Sequence, residues 1–127
     1  MSPATPSGFA ASLGLTVLSV DHEGSVGELR VTEAHHNSYG VVHGAVLTAM
    51  ADSGMGAALF AGLGDDEQCA TIELKTSFLR PVTDGVLRCE TTVVRRGRSV
   101  AHLESNVTRD GEPVARASGS FAIQTVE

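Results

Sequence analysis

GAVLTAMADSGMGAALF, running from Gly44 to Phe60, is the stretch on which the fold turns. Its residues are Ala, Leu, Met, Gly, Val and Phe, interrupted only by Thr48, Ser53 and one charge, Asp52. A run of this length that is apolar on every side reads as a helix buried all round. Its many small residues allow a sheet to wrap it closely. A bilayer span is the competing reading of a long low-charge stretch, here Val41 to Gly64. A central Asp costs about 2.5 to 3.5 kcal/mol in hydrocarbon, so a soluble core helix with no membrane partner is expected instead.

Strand patterns lie on both sides of this helix. Leu15 to Val20 and Val26 to Val31 are β-branched and apolar around a charged, Gly-containing break at Asp21 to Gly24. After the turn cluster Gly62 to Asp66, Ile72, Leu74, Thr76 and Phe78 alternate with Glu73, Lys75 and Ser77, the period of a half-buried strand, which Pro81 stops. Gly85 to Val94 supplies another strand. Val100 to Thr108 and Val114 to Ile123 flank Asp110-Gly111, the dipeptide favoured in type I′ hairpin turns. One central helix and about six largely antiparallel strands make an α+β fold. Met1 to Gly8 reads as a frayed arm and Phe9 to Leu13 as one helical turn, giving an N-terminal arm over 1–12 and a single domain over 13–125.

At 127 residues the chain has room for one core and little room for a separate cofactor domain. With 4% aromatics and no Trp, that core is aliphatic and rich in small residues. A formal charge of -6 and the lack of any long Lys/Arg run argue against nucleic acid as a partner. Cys69 and Cys89 form neither a disulfide framework nor a Cys-x-x-Cys pair, and read as buried thiols. Met1 to Gly14 carries no basic segment followed by an apolar run, so a cytoplasmic location is expected.

Two features carry chemistry. Asn37-Ser38-Tyr39-Gly40-Val41-Val42-His43-Gly44-Ala45 leads directly into the helix, so free backbone N–H groups and the positive end of the helix dipole lie near Gly44. That is a ready oxyanion site, unobstructed by a side chain at Gly44. Helix-start geometry alone would also explain Gly44, and a turn or cap role would explain Asn37. Asp52 is the second feature. A charge on an otherwise apolar helix is paired, hydrogen-bonded or kept for function, and no Lys or Arg lies on this helix to neutralise it. A structural Asp bonded to nearby backbone or Ser53 is the alternative. His43 reads first as a hydrogen-bonding strut and second as a proton-transfer group. His43 and Asp52 are nine residues apart. On an ideal helix that places them roughly 180° apart and about 13 Å along the axis. If the helix start and an Asp52 act on one group, they come from two copies of the chain, which predicts a two-fold dimer with two shared sites.

The pattern Asn37-x-x-Gly40-x-x-His43-Gly44, the small-residue helix with Asp52 inside it, and Thr71-Ile72-Glu73-Leu74-Lys75-Thr76-Ser77-Phe78-Leu79-Arg80-Pro81 together resemble the hotdog-fold acyl-CoA thioesterases of the phenylacetate-degradation (PaaI) type. The resemblance runs from about Leu13 to Ile123. It implies a curved antiparallel sheet wrapped around one long helix, homodimers often paired into dimers of dimers, and an acyl-CoA substrate. It further implies that Asp52 is the general base or nucleophile, that Gly44 gives the oxyanion amide and that His43 supports the loop. Asn37 then contacts the thioester and Thr71 assists the attacking water. Ala45 departs from the pattern, since a second Gly is common there. Thioester hydrolysis suits these groups, because a thiolate, with a thiol pKa of about 8.5, leaves without help and no metal or other cofactor is required. Coenzyme A belongs to the substrate, and its phosphates call for cations. Arg80 at a strand end, with Arg96 and Arg98 in the turn Arg95 to Ser99, are the candidates; a solvated charged turn is the alternative. Two other functions fit the same fold: a hydratase or dehydratase acting on the acyl chain, and a non-catalytic acyl-CoA-binding homo-oligomer.

Overall fold

Every strand pattern in the sequence becomes part of one antiparallel sheet in the computed structural model, which describes residues 2–126. In chain order the elements are β1 (Ser2–Ala4), α1 (Gly8–Leu13), β2 (Leu15–Asp21), β3 (Gly24–Arg30), α2 (Gly44–Ala61), β4 (Glu67–Phe78), β5 (Val86–Arg96), β6 (Val100–Arg109) and β7 (Glu112–Thr125), with a 3-10 turn at Glu33–His35. The sheet order is β1-β2-β3-β5-β6-β7-β4. Asp110 (φ 51°) and Gly111 (φ 80°) both take positive φ, as the type I′ hairpin between β6 and β7 requires.

Ser2–Ala4 corrects the expectation of a frayed arm. Ser2 pairs with Val20 and Ala4 with Val17, so these residues extend the sheet by a seventh strand. The Pro, Ser and Thr content that suggested disorder is tolerated because β1 is an edge strand, where missing N–H donors leave no gap in the ladder.

The sheet curls around α2, and two apolar clusters fill the space between them. Val46, Leu47 and Met50 meet Leu15, Leu29, Leu87 and Val107, while Met55, Ala58 and Leu59 meet Leu103, Phe121 and Ile123. Close approach depends on missing side chains. A Cβ at Gly54 would lie 2.6 Å from Thr91 Oγ1 and 3.2 Å from Ser25 Oγ, and one at Gly119 would lie 2.7 Å from Met55 Sδ. Beneath Gly54 the hydroxyls are satisfied: Ser25 Oγ donates to Gly54 O (2.8 Å), and Thr91 Oγ1 and Ser105 Oγ share a 2.7 Å bond.

The helix is not buried all round. Val46, Leu47, Met50, Ala51, Met55, Ala58 and Leu59 are buried, and they occupy one face. On the other flank Ala45 is exposed, Ala49, Asp52 and Gly56 are half-buried, and Phe60 is 76% exposed. A Cβ at Gly56 would meet nothing within 4 Å. The physical reason is that the sheet ends at β4, so no further strand of the same chain covers this flank.

Candidate active site

The segment before α2 is held by a dense set of local bonds. Asn37 Oδ1 accepts from the N–H of Tyr39 (2.9 Å) and Val41 (3.3 Å), and the Asn37 N–H donates to Val41 O. Gly40 turns the chain with φ 81°. Val42 N–H donates to Val82 O, and His43 N–H donates to His35 O. His35, which the sequence reading passed over, is buried and anchors the whole segment: its Nδ1 accepts from Thr32 N–H, so its Nε2 is the protonated nitrogen and donates to Leu13 O at 2.7 Å.

His43 is the N-cap of α2. Its Nδ1 accepts from Ala45 N–H at 3.0 Å and its carbonyl accepts from Val46 N–H at 2.9 Å. These two bonds use the two amides that follow Gly44 and leave the Gly44 N–H without an acceptor among the described residues. Gly44 lines a groove of about 340 Å³ together with Val41, Val42, Leu47, Phe78, Arg80 and Val82. An anionic oxygen placed there would meet both an unused donor and the positive end of an 18-residue helix. Asn37 uses its side-chain oxygen on its own loop, so only its amide nitrogen is available to a ligand.

Asp52 sits two turns further along, on the flank of α2 that faces β4. Thr71 Oγ1 donates to Asp52 Oδ1 at 2.7 Å. This contact depends on an irregularity in β4. Strict alternation that turns Leu74, Thr76 and Phe78 toward the helix would turn Thr71 away, because 71 is odd and they are even. A register shift between Thr71 and Glu73 resolves the conflict: Thr71 pairs with Phe121 and Glu73 with Ser120, which leaves Ile72 as an extra residue. Such a bulge re-aims the side chains on either side of it. Before it Cys69 and Thr71 face α2; after it Leu74 and Thr76 do, with Thr76 Oγ1 accepting from Thr48 Oγ1 at 3.0 Å. Ile72, expected to face the core, is instead 57% exposed. Cys69 lies close enough to Asp52 to feel its charge: burial, and then the Asp52 carboxylate, hold its thiol above the ordinary cysteine range.

The three arginines do not converge in one chain. Arg80 lines the groove with Gly44 and pairs with Glu112 (2.9 Å) across exposed surface. Arg96 belongs to the opposite end of β4, where it donates to Glu67 Oε1 at 2.9 Å and to Gly97 O at 2.7 Å. The Gly64 N–H on Glu67 Oε1, and then Arg96, hold the Glu67 carboxyl below the ordinary glutamate range. Arg96 thus ties the β5–β6 turn to the loop after α2. Arg98, in the same turn, is exposed. Gly44 and Asp52 are likewise separated. They are eight residues apart on α2, about 12 Å along its axis.

A single long helix cradled by an antiparallel sheet that ends beside it is the hotdog fold, and the chain belongs to the thioesterase superfamily, whose profile matches residues 39–115. The match spans the Asn37–His43 loop from Tyr39 on, α2, β4, β5, β6 and the start of β7. Among solved structures, the chain is similar to a phenylacetic acid degradation-related protein of Ralstonia eutropha JMP134, with 33% identity, a TM-score of 0.86, and coverage of 94% of this chain and 92% of that one. It is also similar to a conserved protein of Pseudomonas aeruginosa, with 31% identity, a TM-score of 0.89 and coverage of 94% and 95%. In sequence it is 24% identical over 105 residues to the 1,4-dihydroxy-2-naphthoyl-CoA hydrolase of Listeria monocytogenes, across 83% of this chain and 85% of that protein. These relationships place the chain among hydrolases.

Proposed function

We propose that the chain is an acyl-CoA thioesterase that hydrolyses small aromatic or short- to medium-chain acyl-CoA to the free acid and coenzyme A. The observation that carries this reading is the Asp52–Thr71 pair, a carboxylate hydrogen-bonded at 2.7 Å on the flank of α2 that the chain leaves uncovered. The hydrogen bond occupies Oδ1, and Oδ2 is then the oxygen that takes a proton from water or attacks the carbonyl itself. The Gly44 N–H receives the negative charge that develops on the thioester oxygen. His43 keeps the helix start in shape through its cap bond, and Asn37 holds the loop while offering its amide nitrogen to the substrate.

The working unit in this reading is a dimer. Gly44 and Asp52 of one chain are too far apart to act on one carbonyl, whereas two antiparallel copies of α2 place each Gly44 opposite the other chain's Asp52. Ala45, Ala49 and Gly56 permit the helices to approach, and the unpaired outer edge of β4 offers backbone groups to a second β4. The same two-fold carries the turn with Arg96 and Arg98 of one subunit toward the Gly44 end of the other, because β4 runs from Glu67 near that turn to Phe78 near Gly44. Arg80 and Arg98 are then the cations for coenzyme A phosphates, with Arg96 holding the turn. Release of free thiol from benzoyl-CoA and butyryl-CoA by the purified protein, and its loss in Asp52→Asn, tests the proposal. An Asp52→Asn protein with wild-type turnover would reject it.

A further inference from the structure

One aromatic side chain at this site has no role in the mechanism above. Phe78 ends β4, and its ring tip points at Gly44: a Cβ built on Gly44 would lie 3.0 Å from Cζ, 3.1 Å from Cε1 and 3.4 Å from Cε2. The ring therefore fills the space that the absent side chain leaves. Its backbone is fixed by pairing with Ala115 and by the Leu79 N–H bond to Val114 O just beyond it. Yet Phe78 remains 56% exposed, although burial of so large an apolar side chain is favourable. Val41, Val42, Leu47 and Val82 continue the same apolar surface along the groove.

We infer that Phe78 determines acyl specificity, forming the wall against which the carbons next to the thioester carbonyl pack. This rests on the thioesterase reading of Gly44 and deepens it. A carbonyl oxygen held by the Gly44 N–H brings its α-carbon alongside the ring, because the ring tip touches the same residue that supplies the donor. Flat or unbranched acyl groups slide along the ring; a branch at the α-carbon collides with it. The residue is thus specificity-determining and stands outside the proton and charge transfers.

The test compares kcat/KM for butyryl-CoA and isobutyryl-CoA, which differ only in α-branching, in wild type, Phe78→Leu and Phe78→Ala. The wild type is expected to favour butyryl-CoA, and Phe78→Ala to shift the ratio toward isobutyryl-CoA by about tenfold or more, the scale on which apolar pockets resolve one methyl group. Phe78→Leu, which narrows the ring to a branched chain, is expected to shift it in the same direction by less; it decides the matter if Phe78→Ala does not fold. Unchanged ratios in whichever variants fold would overturn the inference while leaving the thioesterase reading intact. A weakened dimer with unchanged ratios would do the same by assigning the ring to the subunit interface. Absence of thiol release by the wild type from butyryl-CoA, isobutyryl-CoA and benzoyl-CoA alike would remove the thioesterase reading and this inference with it.

Discussion

The two flanks of α2 are built on opposite plans. Toward β3 and β5 the helix is closed off: Gly54 lies against Thr91 and Ser25, Cys89 Sγ reaches Met50 O at 3.8 Å, and Ser25 and Thr91 each have a hydrogen-bond partner. Toward β4 it is open: Ala45 and Phe60 are exposed, and Asp52 and Gly56 are half-buried, beside an edge strand whose central Ile72 bulges into solvent. Both flanks carry small residues and polar groups, but they use them differently. On the closed flank glycine and hydroxyls bring helix and sheet into contact. On the open flank the same ingredients surround a carboxylate and leave space. Fold stability resides on the first and the proposed chemistry on the second, so substitutions on the two sides fail in different assays.

The largest contrast comes from a substitution that conserves shape. Asp52→Asn is expected to lower kcat for acyl-CoA by about 10² to 10⁴, the usual contribution of a positioned acid–base group, with KM and thermal midpoint near wild type. Steady-state thiol-release kinetics and a melting curve check both halves; a large fall in midpoint would place Asp52 with the structural groups of the closed flank.

The paired glycines sharpen the comparison. Gly54→Ala puts a methyl group 2.6 Å from Thr91 Oγ1 and is expected to destabilise the chain by about 1 to 3 kcal/mol, as overpacking does. Gly56→Ala meets nothing within 4 Å and gains helix propensity, so the subunit itself is expected to hold its stability or gain up to about 1 kcal/mol. If the open flank is a subunit interface, Gly56→Ala weakens the dimer instead. Urea titrations with sedimentation of each variant separate these effects. Equal losses from the two substitutions would mean that the flanks do not differ.

Away from α2, the Glu67–Arg96 tie makes a smaller, pH-dependent difference. The Glu67 pKa is lower in the folded chain, so its contribution is present above the unfolded pKa and disappears as pH falls through the folded value. Wild type is expected to be more stable than Glu67→Gln near about pH 7, with the gap closing toward about pH 3. A gap independent of pH would show that the carboxylate charge contributes nothing. The cysteines should respond least. Burial holds both thiols above the ordinary range, so native Cys69 and Cys89 are expected to react slowly with a disulfide reagent, Cys89 more slowly.

Much of this was legible in the sequence because it depends on local pattern. The helix and its start at Gly44, the Asp110-Gly111 hairpin and the isolated charge at Asp52 all follow from residue type and spacing. The β4 bulge did not, since alternation over Ile72 to Phe78 looks regular and only the pairing with β7 reveals the extra residue. For the same reason only the family resemblance implies Thr71, and its face of the strand could not be read from period. An apolar helix surface has one appearance whether a sheet of its own chain or a second subunit covers it, which hid the open flank. Phe78 read as core because a strand-end Phe carries no mark of exposure, and the role of Arg96 was hidden because its partner, Glu67, lies 29 residues away in sequence.

The shared site is the central claim, and complementation tests it most directly. Asn37→Ala removes the oxygen that accepts Tyr39 and Val41 N–H and so disables the Gly44 half; Asp52→Ala disables the carboxylate half. Each variant alone is expected to be inactive. Co-expressed with different tags, about half of the dimers are mixed, and each mixed dimer carries one site with both lesions and one with neither, so roughly a quarter of all sites regain thiol release. Purified mixed dimers with no more activity than the two parents would show that each site lies within one chain and would contradict the account.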